Sequence, residues 1–217
     1  MSLQQSCKDR NVIQIYDSFE TPKHMCFVME LCSGGDLSAY IRKRLHLKES
    51  HAKYFFNQIV RGLAALHRNR ILHRDLKLEN VMISASGEVK IGDFGVSKKM
   101  RHSEKCYDQA GTPAYLAPEL ISPGGYSGFK ADMWSAGCLL YAMIVGCVPF
   151  IGASIDELHN RILNCEYNYQ RQAGSVQSKG NGADRYSEGV KDLIAKLLTK
   201  DPSKRLSAEE AIQHPWL

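Results

Sequence analysis

The chain has 217 residues, of which 44% are hydrophobic and 24% are charged, and its formal net charge is +5. This balance is that of an ordinary globular domain and excludes a disordered chain. The basic residues are scattered, and pairs as short as Lys43-Arg44 or Lys98-Lys99 do not predict a nucleic-acid-binding surface.

Two strands are the first predicted elements. Residues 12–18 and 25–30 read as short strands joined by a turn, and Gly34-Gly35 then breaks the chain. Residues 1–10 are polar and lack the apolar stretch of a signal peptide. The seven cysteines are an odd count with no Cys-x-x-Cys pair, so reduced thiols in a cytoplasmic protein are expected, with the nucleus not excluded.

Most of the remaining chain is predicted to be helical. Apolar residues recur at helical spacing over residues 49–69. A hairpin is predicted where residues 81–83 and 89–91 flank a short polar turn. Further helices are predicted at residues 129–146, 154–164, 188–199 and 207–214. A few strands followed by helices are typical of an α+β or largely helical domain.

Two later segments need separate interpretation. Residues 136–152 are almost wholly apolar, but the run is short and contains Pro149. It therefore favours a helix buried on all sides over a membrane span. Residues 168–189 are rich in Gly, Ser, Gln and Asn, which predicts a surface loop.

The residues that carry chemistry lie in His73-Arg74-Asp75-Leu76-Lys77-Leu78-Glu79-Asn80 and, after the hairpin, in Asp93-Phe94-Gly95. Phosphoryl transfer needs a carboxylate to orient the attacking hydroxyl and metal ions to bridge the phosphates. Carboxylate and amide oxygens suit magnesium. The alternative is that these polar residues are only hydrogen-bonded turn residues between strands.

Together with Ala117-Pro118-Glu119, these motifs resemble the eukaryotic protein kinase family. The resemblance implies an α+β, protein kinase-like fold with a mainly helical large lobe and a remnant of the small β lobe. Residues 1–30 would be that remnant, 31–36 the hinge, and 37–217 the large lobe, with the activation segment at 93–119.

The resemblance also implies an ATP-dependent serine/threonine kinase that uses Mg²⁺. Asp75 would be the catalytic base, Lys77 would contact the transferring phosphate, and Asn80 and Asp93 would hold magnesium. Thr112 lies in the segment that receives the substrate residue, and Thr112 and Lys77 are the serine/threonine-type choices at their positions. The structural residues of the family would be His73, Phe94, Glu119, Asp132 and Arg205, with Asp132 anchoring the catalytic loop and Arg205 pairing with Glu119.

Residues 27–36 resemble the hinge that binds adenine. Met29 would guard the back pocket, Glu30 and Cys32 would offer main-chain hydrogen bonds, and Asp36 would reach the ribose. Met82 would lie beneath the adenine, although plain core packing is an equally good interpretation. Together with Lys77, Glu79, Asn80 and Asp93, these residues form the expected set for nucleotide and metal.

An aspartate stands where many related kinases carry a phosphorylated threonine. Asp108 supplies about one negative charge, against roughly −1.5 to −2 for a phosphate. We expect it to pair with Arg74 and to order the activation segment without an activating kinase. The alternative is a solvated loop aspartate.

The substrate preference is predicted from Asp36 and Glu79, which match carboxylates that bind basic residues upstream of the phosphoacceptor. Residues 78–80 and 214–216 look most like the calcium/calmodulin-dependent kinase group. Protein substrates with Arg a few residues before Ser or Thr are expected, with neither nucleic acid nor membrane as partner. The alternative is that Asp36 serves only the ribose.

The resemblance runs from about residue 11 to residue 217 and includes no glycine-rich loop or ATP-binding lysine strand. The chain alone is therefore expected to bind ATP poorly. It would be a fragment of an ordinary kinase or a shortened protein acting as a binding or scaffold module. Retention of Asp75, Asn80 and Asp93 favours the fragment. A shortened chain is also expected to expose the apolar faces of residues 12–28, which invites aggregation or a partner.

Overall fold

A computed structural model describes residues 7–101, 104–169 and 186–217. In these ranges the strands are β1 (Ile15–Glu20), β2 (Met25–Met29), β3 (Ile71–Leu72), β4 (Val81–Ile83), β5 (Val89–Ile91) and β6 (Lys98–Lys99). The helices are α1 (Leu37–Arg42), α2 (Glu49–Arg68), α3 (Pro118–Ile121), α4 (Gly128–Val145), α5 (Ile155–Asn164), α6 (Glu188–Leu197) and α7 (Ala208–Ile212). Short 3₁₀ turns occupy Leu78–Asn80 and Pro113–Tyr115.

The strands form three antiparallel pairs, β1 with β2, β3 with β6, and β4 with β5. Strand β1 begins three residues later than predicted because the preceding residues pair elsewhere. The N–H of Ile13 donates to Ile91 (2.9 Å), and the N–H of Ile91 donates to Asn11 (2.8 Å). This pairing also corrects the expected exposure of residues 12–28. Val12 and Ile13 are buried against β5, and exposed apolar side chains begin at Tyr16.

Helix α2 confirms the long helix predicted from apolar spacing. Its buried face includes Phe56, Val60 and Leu63, and it packs against α4, α7 and β5. Helices α5, α6 and α7 each begin after a serine whose hydroxyl accepts a main-chain N–H, at Ser154, Ser187 and Ser207. Such caps satisfy donors that a helix start leaves unpaired. The loop predicted at 168–189 lies mostly outside the described residues.

Helix α4 is the centre of the core and is buried on almost every side. A Cβ added to Gly128 would lie 2.2 Å from Leu72, so only glycine permits this close approach. In the described part of the chain, no helix is long and apolar enough to cross a membrane. The burial of α4 confirms the buried helix predicted from the apolar run up to Val145, where the helix ends; residues 146–152 of the run lie beyond it.

The buried side chain of Arg205 links several helices through hydrogen bonds. Its guanidinium is fully buried, donates two hydrogen bonds to Glu119 (2.6 and 2.9 Å) and lies over the Trp134 ring. It also donates to the carbonyls of Thr199 (2.9 Å) and Lys130 (2.7 Å). These bonds compensate for burying the charge, as a paired arginine requires. None of the seven cysteines, all of which lie in the described residues, forms a disulfide bond.

Candidate active site

One buried carboxylate on helix α4 anchors the catalytic loop, which was predicted at residues 73–80. Asp132 accepts the main-chain N–H groups of His73 (2.9 Å) and Arg74 (2.9 Å), and its carboxylate contacts the ring of His67 (3.0 Å). These bonds hold Arg74 at a φ of 68°, in the left-handed region that a non-glycine residue rarely adopts. Burial raises the pKa of Asp132, but the hydrogen bonds and charges of His67 and His73 outweigh it and leave that pKa below its ordinary value.

Three predicted site residues form a closed hydrogen-bonded triangle. The Lys77 ammonium donates to Asp75 (2.7 Å) and to the Thr112 hydroxyl (2.9 Å), and that hydroxyl donates to Asp75 (2.7 Å). The side-chain amide of Asn80 also donates to the carbonyl (2.9 Å) and the carboxylate (3.3 Å) of Asp75. Burial raises the pKa of Asp75, but hydrogen bonds from Lys77 and Thr112 outweigh it, so the pKa is lowered and the carboxylate is ionised.

The Asp93-Phe94-Gly95 motif lies beside this triangle. The N–H of Gly92 donates to the carbonyl of Asn80 (2.8 Å), and the His73 ring contacts the carbonyl of Gly92 (2.8 Å). His73 and Phe94 meet edge to face at 5.2 Å. Asp93 itself is exposed and has a φ of 57°, another left-handed position at the end of β5. The structure therefore brings the two motifs together side by side.

The side-chain oxygen atoms of Asn80 and Asp93 fit Mg²⁺ in type. Because the Asn80 nitrogen donates to Asp75, its amide oxygen is left for a ligand, and Asp93 adds a carboxylate that accepts only a long bond from Gly95 (3.3 Å). Magnesium takes few protein oxygens and completes its shell with phosphates and water. Within the described ranges, no group of three or more His, Cys, Asp or Glu residues could hold a metal by itself.

The predicted hinge is held by contacts that the sequence did not reveal. Glu30 forms an ion pair with the buried Lys90 (2.7 Å), and its N–H donates to Gln14 (2.9 Å). Only the carbonyl of Glu30 therefore remains for a nucleotide. The Asp36 carboxylate accepts the N–H of Ala39 (2.7 Å) and caps α1, so it has a structural role in addition to any contact with ribose.

Of the other expected nucleotide contacts, Cys32 is buried and Met29 is exposed. Met82 is half-buried in β4, where it pairs with Asp36 in an isolated bridge. The bridge joins Asp36 to Met82, two residues after Asn80. The contacts of Met29, Cys32 and Met82 with adenine stay predictions.

In its described residues, the activation segment contacts the catalytic loop. The Arg74 guanidinium pairs with Asp108 and also donates to the carbonyl of Val96 (2.6 Å). The hydrogen bond from Arg74 lowers the pKa of Asp108. The contact expected from the sequence is therefore present, although 56% of the Asp108 side chain is exposed. Glu79, the other predicted substrate carboxylate, is exposed to solvent.

Sequence reasoning missed His67, Lys90 and Tyr126. His67 continues the buried face of α2 formed by Val60 and Leu63, and a polar residue in that register was the available signal. Lys90 and Tyr126 gave no comparable signal, because their partners lie far away in the chain.

Comparison with known proteins identifies the class. The family model of the protein kinase domain matches residues 1–217. The chain is 38% identical over 211 residues to mouse calcium/calmodulin-dependent protein kinase type IV, covering 95% of this chain and 43% of that protein. It is 36% identical over 206 residues to the carbon catabolite-derepressing protein kinase of Secale cereale, covering 95% of this chain and 38% of that protein.

The chain therefore belongs to the protein kinase family. Within that family it groups with the eukaryotic serine/threonine kinases related to the calcium/calmodulin-dependent kinases. This confirms the family and the α+β kinase-like fold predicted from the motifs. The chain spans about two-fifths of the length of these curated relatives.

Proposed function

We propose that this chain provides the catalytic large lobe of an ATP-dependent protein serine/threonine kinase. The observation that carries the proposal is the triangle of Asp75, Lys77 and Thr112, with all three contacts between 2.7 and 2.9 Å. It joins an ionised carboxylate, a cation and a hydroxyl in one group. Positioning and charge neutralisation are what phosphoryl transfer requires of a protein.

Asp75 would accept the proton of the substrate Ser or Thr hydroxyl. The hydroxyl oxygen bonds to the γ-phosphorus of ATP as the bond between that phosphorus and the bridging oxygen breaks, and ADP leaves. Thr112 already presents a hydroxyl to Asp75 at 2.7 Å, which supports hydroxyl recognition by this carboxylate. Lys77 would bind the transferring phosphoryl oxygens, since its ammonium is held within this triangle.

Asn80 and Asp93 would hold Mg²⁺, which when bound neutralises the phosphate charge. The predicted contacts at the hinge are Met29, Glu30, Cys32 and Met82. Since the Glu30 N–H is occupied by Gln14, its carbonyl is the atom we assign to the nucleotide. Asp36 would contact the ribose with whatever bonding capacity its helix cap leaves.

A preference for Arg upstream of the acceptor residue is part of the proposal. Glu79 is exposed, and its carboxylate would bind a substrate guanidinium. In a peptide library, Glu79→Gln should reduce the preference for Arg, whereas Glu209→Gln, which removes an exposed carboxylate on α7, should not. A library without basic preference would refute this part while leaving the kinase activity standing.

The decisive experiment measures transfer of labelled γ-phosphate by the full-length protein to Ser and Thr peptides. Asp75→Asn should lower kcat about 10²- to 10⁴-fold, which is the usual worth of a positioned base. Asp156→Asn, in the exposed first turn of α5, is the matched control and should leave kcat unchanged. Binding of partner proteins with no transfer by the wild-type protein would instead support the non-catalytic scaffold module.

A further inference from the structure

Three consecutive residues of the activation segment, 106–108, rest on one short loop before α4. Cys106 and Tyr126 exchange two main-chain hydrogen bonds, each 3.0 Å long. The ring of Tyr107 covers Gly125 so closely that an added Cβ there would lie 2.7 Å from it. The hydroxyl of Tyr126 donates to the carbonyl of Asp108 at 2.8 Å. We call residues 124–126 the docking loop.

The contact between the docking loop and residues 106–108 includes two buried residues. Cys106 is fully buried, and Tyr126 is only 7% exposed. Burial raises the pKa of the Tyr126 hydroxyl to about 12, so it keeps its proton and remains a donor. A buried donor without its acceptor is costly, which favours the conformation in which Asp108 lies over it.

We propose that Tyr126 is a positioning residue, which holds the main chain of Asp108 so that the Asp108 carboxylate stays on Arg74 without a phosphate. The proposal rests on the proposed function only in that Arg74 adjoins the predicted base Asp75. An exposed ion pair alone contributes little, because two mobile side chains must be ordered in water. Fixing the Asp108 backbone beforehand removes much of that entropic cost.

The effect reaches the catalytic loop through Arg74. The N–H of Arg74 is fixed by Asp132, and its side chain donates to Val96 and pairs with Asp108. Arg74 holds a left-handed φ of 68°, so it depends on these partners to keep its conformation. Loss of the Asp108 contact should loosen residues 72–78 as well as the activation segment.

Hydrogen exchange of the full-length protein, without nucleotide or substrate, tests the proposal independently of catalysis. Tyr126→Phe removes only the hydroxyl and should accelerate exchange in residues 104–110 and in residues 72–78 by roughly two- to tenfold, the effect of one lost hydrogen bond. Tyr141→Phe is the matched control, because it removes another largely buried hydroxyl that donates to a carbonyl, that of Asn168. It should leave both segments unchanged.

Adding Asp108→Asn distinguishes positioning from a purely structural role. If Tyr126 acts through the Asp108 carboxylate, Tyr126→Phe should no longer accelerate exchange of residues 72–78 in the Asp108→Asn background. Equal acceleration in both backgrounds would overturn the proposal. No acceleration of residues 72–78 in the wild-type background would overturn it too, and so would a uniform rise that includes helix α2. A kinase assay that detects no transfer would bear on the proposed function alone.

Discussion

Helix α4 and the β1–β2 hairpin are both rich in apolar residues, yet their surroundings are opposite. Sixteen residues of α4 are buried, whereas the side chains of the hairpin are exposed on both faces apart from two that are half-buried. The difference separates two sources of order. Packing holds the helical lobe, while the hairpin is held by main-chain pairing and by contacts at its ends, such as Glu30 with Lys90.

The comparison of α4 with the hairpin also shows which part of the molecule holds each group of site residues in place. Asp132 lies on α4 and holds the catalytic loop, so the predicted base is anchored in the best-packed part of the molecule. Met29 and Glu30 lie at the end of the hairpin, where no side chain of β1 or β2 is buried. Segments of that kind are the ones that open most readily. The start of the catalytic loop, which Asp132 holds, should therefore be rigid, and the predicted adenine contact at Met29 should be more mobile.

The largest expected loss of stability follows from breaking the buried ion pair of Arg205 and Glu119. Arg205→Met should lower the free energy of unfolding by about 3–5 kcal/mol, because it leaves the Glu119 carboxylate buried and unpaired. Lys204→Met is the neighbouring control; its side chain is 78% exposed, and its contact with Asp201 is 4.0 Å long. Its effect should stay within about 0.5 kcal/mol. Urea unfolding measures the free energy of unfolding of both variants. Equal losses in the two variants would contradict the expectation that the buried ion pair matters more than the exposed one.

The second prediction compares the two regions with one kind of substitution. Leu140→Ala, in the fully buried part of α4, should cost about 2–5 kcal/mol, since it removes contacts and leaves a cavity. Leu31→Ala follows the hairpin at a side chain that is 84% exposed. It should cost no more than about 0.5 kcal/mol. A Leu31 effect as large as that of Leu140 would mean that the hairpin region is packed in solution.

Of the seven helices in the described residues, the sequence predicted five, because apolar spacing records which face meets the core, but it did not predict α1 or α3. The observed ends of α2 and α5 agree with the predicted ends within one residue. The two catalytic motifs lie on either side of the β4–β5 hairpin, as predicted. The sequence did not predict the capping role of Asp36 or the pairing of Val12 with β5. The pairing of Val12, like the contacts of Lys90 and Tyr126, joins residues distant in the chain, and a local pattern carries no information about it.

A smaller loss of stability is expected from substituting Asp132, whose carboxylate accepts hydrogen bonds from several donors. Asp132→Asn should cost about 1–3 kcal/mol at neutral pH, because an amide cannot accept from all of them. The pKa of Asp132 is lowered by folding, so its contribution is complete above the ordinary value of 3.8 and is lost as the pH falls through the lower folded value.

The difference in stability between wild type and Asp132→Asn therefore isolates this group. That difference should be constant at neutral pH and should shrink in acid, below pH 3.8. Denaturant unfolding at a series of pH values measures it. A difference that stays constant down to the lowest pH would show that the ionised form of Asp132 does not stabilise the folded protein.

The smallest effect on stability is expected at Asp108, whose side chain is 56% exposed in its pair with Arg74. Asp108→Ala should change the free energy of unfolding by no more than about 1 kcal/mol. It should nevertheless lower the kinase activity of phosphatase-treated full-length protein, because Arg74 joins the activation segment to the catalytic loop. Asp108→Glu keeps the charge and should retain more activity. If Asp108→Ala left the activity unchanged, the segment would be ordered by the docking loop without help from this carboxylate, and the pairing with Arg74 would have no functional role.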